Sequence, residues 1–270
     1  MSKPITKDEI QMHKERSLAK LNALLDQYIT SGKDEYLKKA NLISYWLESF
    51  SNYVAFEEKF DSTKLLRYKR GSVIRLNFGF NIGNEMGGLH YAVVVENSNA
   101  RNSNVITVVP LSSSNGKNIH PRSVDLGTEL FEKVNVQQQK LLDEVQSSLK
   151  ELLKDQKVFE NALNLFNSNS LSKTEFDTQL VSIQHRYEEL LEKKNELEKS
   201  LGIIRRNMKE FVKMKSGSMA VINQITTISK QRIYTPKRSE DFLYGISLSP
   251  AAMDKINIKL KELFIFSKEN

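Results

Sequence analysis

The sequence predicts an α+β protein in which a small basic β domain follows a pair of helices and is interrupted by a long helical hairpin. Three observations predict it. First, β-branched runs bounded by Gly, Asn and Ser cluster in two separate regions, 68–130 and 216–270. Second, between them apolar residues recur at alternating steps of three and four from Leu142 to Phe211. Third, the formal charge of +7 is confined to the strand-rich regions. Residues 62–127 hold 8 basic and 3 acidic side chains and residues 217–270 hold 8 and 5, whereas residues 1–61 hold 9 and 10 and residues 128–216 hold 15 and 15. A localised positive field is a footprint of a polyanionic partner, most often nucleic acid, although a merely solvated basic surface gives the same count.

Two helices open the chain, over about residues 5–30 and 33–61, with Gly32 as a C-cap in the turn "TSGKD". Trp46, Phe50, Tyr53 and Phe56 share a face of the second and are expected to pack as core. At Tyr68 the texture changes. "GSVIRLNF", "YAVVVENS", "NVITVVPLSSS" and, far downstream, "SGSMAVINQITTIS" read as strands. The final "SPAAMDKINIKLKELFIF" reads as a helix with Ser249 as N-cap and Pro250 at its first position.

The intervening seam runs through Leu142, Val145, Leu149, Leu152, Gln156, Phe159, Leu163 and Phe166. After "NSNSLSKTEF", with a capping box from Ser172 to Glu175, it resumes at Phe176 and continues to Phe211. The heptad spacing predicts an antiparallel coiled-coil hairpin, with Lys194 near Asp143 and Glu144. The expected organisation is a helical extension at 1–67, a β domain at 68–130 and 216–270, and an inserted hairpin at 131–215.

Several classes are disfavoured. No apolar run is long enough to cross a bilayer, and "MSKPITKDEI" has no signal-peptide core. There is no cysteine, so disulfides and thiolate zinc sites are ruled out, which fits a cytoplasmic protein. The four histidines, His13, His90, His120 and His185, lack ligand spacing, so neither a metal site nor a cofactor is expected.

Three stretches carry a resemblance: "YKRGSVIRLNFGFNIGNEMGGLHYAVVVENS", "NVITVVPLSSS" and "GSMAVINQITTISKQRI". In this order they resemble the PemK/MazF family of toxin–antitoxin ribonucleases: an opening strand and G-x-E-x-G-G loop, a strand ending in P-L-[ST]-S, and an aliphatic strand leading to Lys-x-Arg. The resemblance implies an SH3-like β barrel with a C-terminal helix, usually a homodimer with a cognate antitoxin. It also implies metal-independent cleavage of single-stranded RNA. In that chemistry the ribose 2′-hydroxyl attacks its own phosphate, leaving a 2′,3′-cyclic phosphate and a 5′-hydroxyl.

One departure matters. Where the family has Gly-x-Arg-Pro, this chain has Gly88-Leu89-His90-Tyr91. The resemblance thus puts His90 at the catalytic arginine position and Ser112 at the second catalytic position. Unlike arginine, histidine accepts and donates a proton near neutrality, so His90 is the candidate acid/base group. Lys69, Arg70, Lys230 and Arg232 are the candidates for stabilising charge. Glu85 is read as orienting the loop or pairing with an arginine, and Gly87 and Gly88 as allowing a tight turn beside the substrate. Gln224 and Thr227 are candidate hydrogen-bonding groups, and Phe78, Phe80 and Tyr91 candidate stacking rings, with Phe78 the nearest to plain core. Each has a bland alternative: His90 as a hydrogen-bonded strand residue, Ser112 as a turn residue, Thr227 as a strand residue. A barrel that binds DNA or a protein without catalysis, using the hairpin as a docking arm, is the alternative function.

Overall fold

The computed structural model describes residues 5–168 and 173–265. Helix α1 (Lys7–Thr30) starts at a capping box in which Thr6 and Glu9 satisfy each other's backbone N–H groups. It ends at Ser31, just before Gly32, and α2 (Asp34–Phe56) turns back against it, with Tyr28 stacked on Tyr36 at 5.0 Å. This pair is too thin to enclose a core: α1 buries no residue and α2 only Ala40 and Ile43. The expected aromatic core is therefore corrected. Phe50 and Phe56 stand about half exposed, at 51% and 49%, and Trp46 and Tyr53 reach the β domain instead.

Seven strands follow: β1 (Val73–Asn77), β2 (Leu89–Val94), β3 (Val105–Ser113), β4 (Ser123–Gly127), β5 (Ser218–Val221), β6 (Thr226–Ser229) and β7 (Ile233–Thr235). They form one antiparallel sheet in the order β4-β5-β3-β2-β1-β7, with β6 also on β3. Sequence reading missed β4 and β7, and the strand-like stretch "SGSMAVINQITTIS" resolves into β5 and β6, with 3-10 turns at Ile222–Gln224 between them and at Lys230–Arg232 before β7. The long β3 makes this possible by serving β6 with its first half, β2 with its middle and β5 with its end. Hydrogen bonding does not close the sheet into the expected barrel: β6 lies on β3 and β7 on β1, and only the turn Lys230–Arg232 joins them.

Both sheet faces are buried, which explains why the strand runs are almost continuously apolar. Ile74, Leu76, Ala92, Val94, Ile106, Val108, Ile228 and Ile233 point to one core, built from strands and Tyr68 and Phe78. Val73, Val93, Val109 and Leu111 point to the other, which helix α5 (Pro250–Phe264) covers with Ala252, Met253 and Ile256. Each such fully buried aliphatic side chain contributes roughly 1.5–3 kcal/mol. The cap of α5 is as expected: Ser249 Oγ accepts from the Ala252 N–H at 3.2 Å, with Pro250 in the first turn.

Helices α3 (Glu129–Ser168) and α4 (Lys173–Phe211) form the intervening segment. They run antiparallel, as the contacts Asp155–Lys193 at 2.5 Å and Phe159–Tyr187 at 6.1 Å require. The seam is buried at Val145, Leu197 and Ile204, while Leu149 and Leu201 remain partly open. Lys193, not Lys194, crosses between the helices, and it meets Asp155, about three turns further along α3 than the expected Asp143. The expected capping box falls at Ser172, outside the described residues. The base of the hairpin belongs to the sheet: Leu130 and Val134 are buried in the helix-covered core, and Phe211 and Met214 pack against it.

Candidate active site

The site begins at a proline. β2 and β3 pair from Val94↔Val108 to Ala92↔Pro110. Pro110 has no N–H to give to the ladder. Beyond it β3 follows β5, with Ser112 opposite Met219, while β2 follows β1, with His90 opposite Leu76. The strands part, and a cavity of about 250 Å³ opens between them. Leu89, His90 and Tyr91 line one side, and Leu111, Ser112 and Ser113 the other. Arg75 from β1 and Glu210, Lys213 and Lys215 from the end of α4 and the link after it complete the wall.

His90 lies between the parted strands, beside Leu111 and Ser112 of β3. Burial pushes the imidazole below its ordinary pKa and Arg75 adds to this, while the Leu111 backbone carbonyl works the other way. The ring is thus neutral at neutral pH, as a proton acceptor must be. Ser112 is half-buried within β3, not in a turn.

The charge in the site is not where sequence reading expected it. Arg75 is the guanidinium nearest to hand. It is paired with Glu210 and lies 5.6 Å from the ring centroids of both Tyr91 and Tyr234. Tyr91 is therefore engaged by Arg75. The signal for Arg75 was present in "VIRLN", a charged residue inside an apolar strand, and it was passed over. Lys213 and Lys215 were missed because they sit in the segment of zero net charge.

The other expected residues divide cleanly. Lys230 does not join the site. It is only 2% exposed, and its Nζ donates to the Ala100 carbonyl at 3.0 Å, holding the loop before β3. Arg70 pairs with Asn257 of α5, and the exposed Lys69 begins the turn into β1, with its N–H on Ser72 Oγ at 3.1 Å. Thr227 makes a cross-strand hydroxyl pair with Thr107 at 2.9 Å. Arg232 donates from Nε to the Asn77 carbonyl at 2.8 Å and lies 5.0 Å from the Trp46 ring centroid, so it anchors α2. Phe78 is core, as expected.

Glu85, Gly87, Gly88 and Gln224 build the loop between β1 and β2. Gln224 accepts from the Met86 N–H and donates to the Asn84 carbonyl, both at 3.1 Å. Glu85 accepts from the Ile82 N–H at 3.3 Å within the loop itself. The loop closes through bonds from Phe78 N–H to the Gly88 carbonyl and from Gly88 N–H to the Gly79 carbonyl, at 2.8 and 2.6 Å. A Cβ on Gly87 would lie 2.9 Å from that Gly79 oxygen, so the loop requires glycine there. The result is a rigid entrance to His90, two residues beyond Gly88.

Residues 69–158 match the family described as PemK-like, MazF-like toxin of type II toxin-antitoxin system. This segment is similar to the PemK/MazF family. The match spans β1 to β4 and runs into α3, so it contains His90, Ser112 and Arg75. The PemK/MazF-like segment leaves out α1, α2, α4 and everything from β5 onward, although β5, β6 and β7 complete its sheet. No curated protein matches the chain.

Proposed function

We propose that this chain is the toxin of a type II toxin–antitoxin pair and that it cleaves single-stranded RNA by 2′-hydroxyl attack. The observation that carries the reading is the convergence of His90, Ser112 and Arg75 on one cavity, with Lys213 and Lys215 at its rim. Neutral His90 takes the proton of the 2′-hydroxyl. The 2′-oxygen attacks the adjoining phosphate, the bond to the 5′-oxygen breaks, and that oxygen leaves with a proton taken from solvent water, while the proton held by His90 returns to solvent afterwards. Arg75 and the two lysines stabilise the charge that gathers on the phosphate oxygens, and Ser112 offers a hydroxyl from the facing strand. No step uses a metal or cofactor.

In this reading residues 68–130 and 216–270 form the catalytic unit, an SH3-like sheet left open between β6 and β7. Residues 131–215 are an inserted coiled-coil hairpin, and residues 1–67 an extension. The likeness of residues 69–158 to this toxin family supports a cognate antitoxin as partner, and we include a homodimer as the working assembly.

The test is incubation of the purified protein with single-stranded RNA in EDTA. Fragments ending in 2′,3′-cyclic phosphate are expected, and His90→Ala should not yield them. Intact RNA with the wild type, or unchanged cleavage by the variant, overturns the assignment. One observation favours the second reading, a non-catalytic binding domain: Arg75 is neutralised by Glu210. On that reading the wild type binds nucleic acid or a protein target and leaves RNA intact.

A further inference from the structure

A second cavity, of about 710 Å³, adjoins the first and shares Leu89 and His90 with it. Its size falls in the range of roughly 300–1,000 Å³ usual for small-ligand sites. One wall is α2, through Leu42, Tyr45, Trp46 and Tyr53. The other is the β1–β2 loop, with Phe80, Gly87 and Gly88, joined by Gln231, Tyr234 and Lys237. Aromatic rings, an amide and an amine thus surround a space that opens on the candidate acid/base group.

The wall is built to stay in place. A Cβ on Gly79 would lie 2.8 Å from the Trp46 ring, so the glycine lets the indole lie directly on the backbone. Arg232 holds the indole from the sheet. Around this anchor Tyr45 and Tyr234 stand 65% and 55% exposed. Tyr234 also lies 5.6 Å from the Arg75 guanidinium of the first cavity, so it links the two spaces. Open rings beside a phosphate-sized site match what an unstacked nucleobase needs, since every base offers a π-face. The positive charge confined to the strand regions fits the sugar-phosphate chain that would run between the two cavities.

We propose that the α2-lined cleft is a nucleobase subsite of single-stranded RNA, holding the base next to the scissile phosphate. This rests on the RNA-cleavage reading and extends it. The wall that selects the base comes from α2, outside the PemK/MazF-like segment, so base preference is a property of the extension.

Trp46 is the only tryptophan, so its emission reports on the cleft directly. The full-length protein is titrated with a 2′-O-methyl RNA oligonucleotide, which lacks the attacking hydroxyl. A parallel titration uses an abasic oligonucleotide of equal length. The base-containing strand is expected to change Trp46 emission saturably and to bind at least tenfold more tightly. Tyr45→Ala should weaken that binding roughly 5- to 150-fold and leave the abasic strand unaffected, while Tyr45→Phe retains it. Equal affinity for the two strands, unchanged emission, or an unaffected Tyr45→Ala protein overturns the proposal. The two readings fail separately. If the wild type cleaves RNA and Tyr45→Ala cleaves it with the same kcat/KM, the subsite is wrong and catalysis stands. If the base-dependent signal appears but the wild type never cleaves, the subsite stands and catalysis falls.

Discussion

Arg75 and Glu210, 135 residues apart in sequence, form an ion pair in the cavity lined by His90 and Ser112. Both side chains are about four-fifths removed from solvent, at 20% and 21% exposure. The last turn of α4 therefore places a carboxylate where the proposed mechanism needs a phosphate oxygen. RNA must displace Glu210 from Arg75 to use the guanidinium. Glu210→Gln should accordingly tighten RNA binding and steepen its salt dependence by up to about one unit in the logarithmic slope. Filter binding at several salt concentrations reads both. A weaker affinity in the variant would mean that Glu210 serves to position Arg75.

The ionisation of His90 gives a second prediction. Burial first, and then Arg75, lowers its pKa below the ordinary value of about 6.5. A general base acts when neutral, so cleavage should rise with pH through a midpoint below about 6.5 and be level from pH 7 to 8. His90→Ala should lower the single-turnover rate by about 10²–10⁴-fold while RNA still binds. His90→Arg restores the family residue and should abolish the acid-side rise, because arginine does not titrate there. The folded pKa is depressed, so the associated stability is fully present above about pH 6.5 and is lost as pH falls through the folded value. His90→Gln should reduce that part of the acid sensitivity, measured by denaturant unfolding at pH 5 and pH 7.5. A profile that does not change with His90 would remove it from the chemical step.

Lysine substitutions separate the two kinds of basic residue. Lys213 and Lys215 line the cavity and are exposed, so alanine at either should weaken RNA binding and reduce the salt slope by about one unit or less. Lys230 is buried with its amine on a backbone carbonyl. Lys230→Ala should instead destabilise the fold, by about 2–4 kcal/mol, since it removes a packed stem and a carbonyl's partner. Salt titrations and thermal melts of the three variants test this. A normal melt with a reduced salt slope for Lys230→Ala would reverse the assignment.

These contrasts show what the sequence could carry. Strand runs, the two-armed helical seam and the cap at Ser249 were legible because each is a local pattern with a local cause. His90 and Ser112 were legible only through motif order. Their convergence depends on Pro110 ending one ladder, which becomes visible only once β2, β3 and β5 are paired. Lys230 looked like a free cation because a count of charges does not register burial. Lys213 and Lys215 were overlooked for the opposite reason: the acidic residues of the hairpin cancel its basic charge. Arg75 stood in view in "VIRLN", but its partner Glu210 is near in space and not in sequence. The aromatic face of α2 was seen, but its purpose was misread. The pattern Trp46, Phe50, Tyr53, Phe56 says that a face is apolar, not what lies against it.

The docking of α2 can be tested with a pair of glycines. Gly79 and Gly88 both have positive φ, +86° and +76°, so alanine at either is strained by about 1–2 kcal/mol. They differ in what a Cβ would meet. At Gly88 nothing lies within 4 Å. At Gly79 the Trp46 ring is 2.8 Å away, and the Arg232 guanidinium 3.0 Å. Gly88→Ala should therefore lower stability modestly and leave Trp46 emission unchanged. Gly79→Ala carries the same strain and must also push the indole off the backbone, which exposes it to water and opens the cleft. Its emission should shift to the red, and binding of the base-containing 2′-O-methyl strand should fall while that of the abasic strand holds. Matching emission spectra for the two variants would mean that Trp46 does not rest on Gly79, and the cleft wall would have to be sought elsewhere on α2.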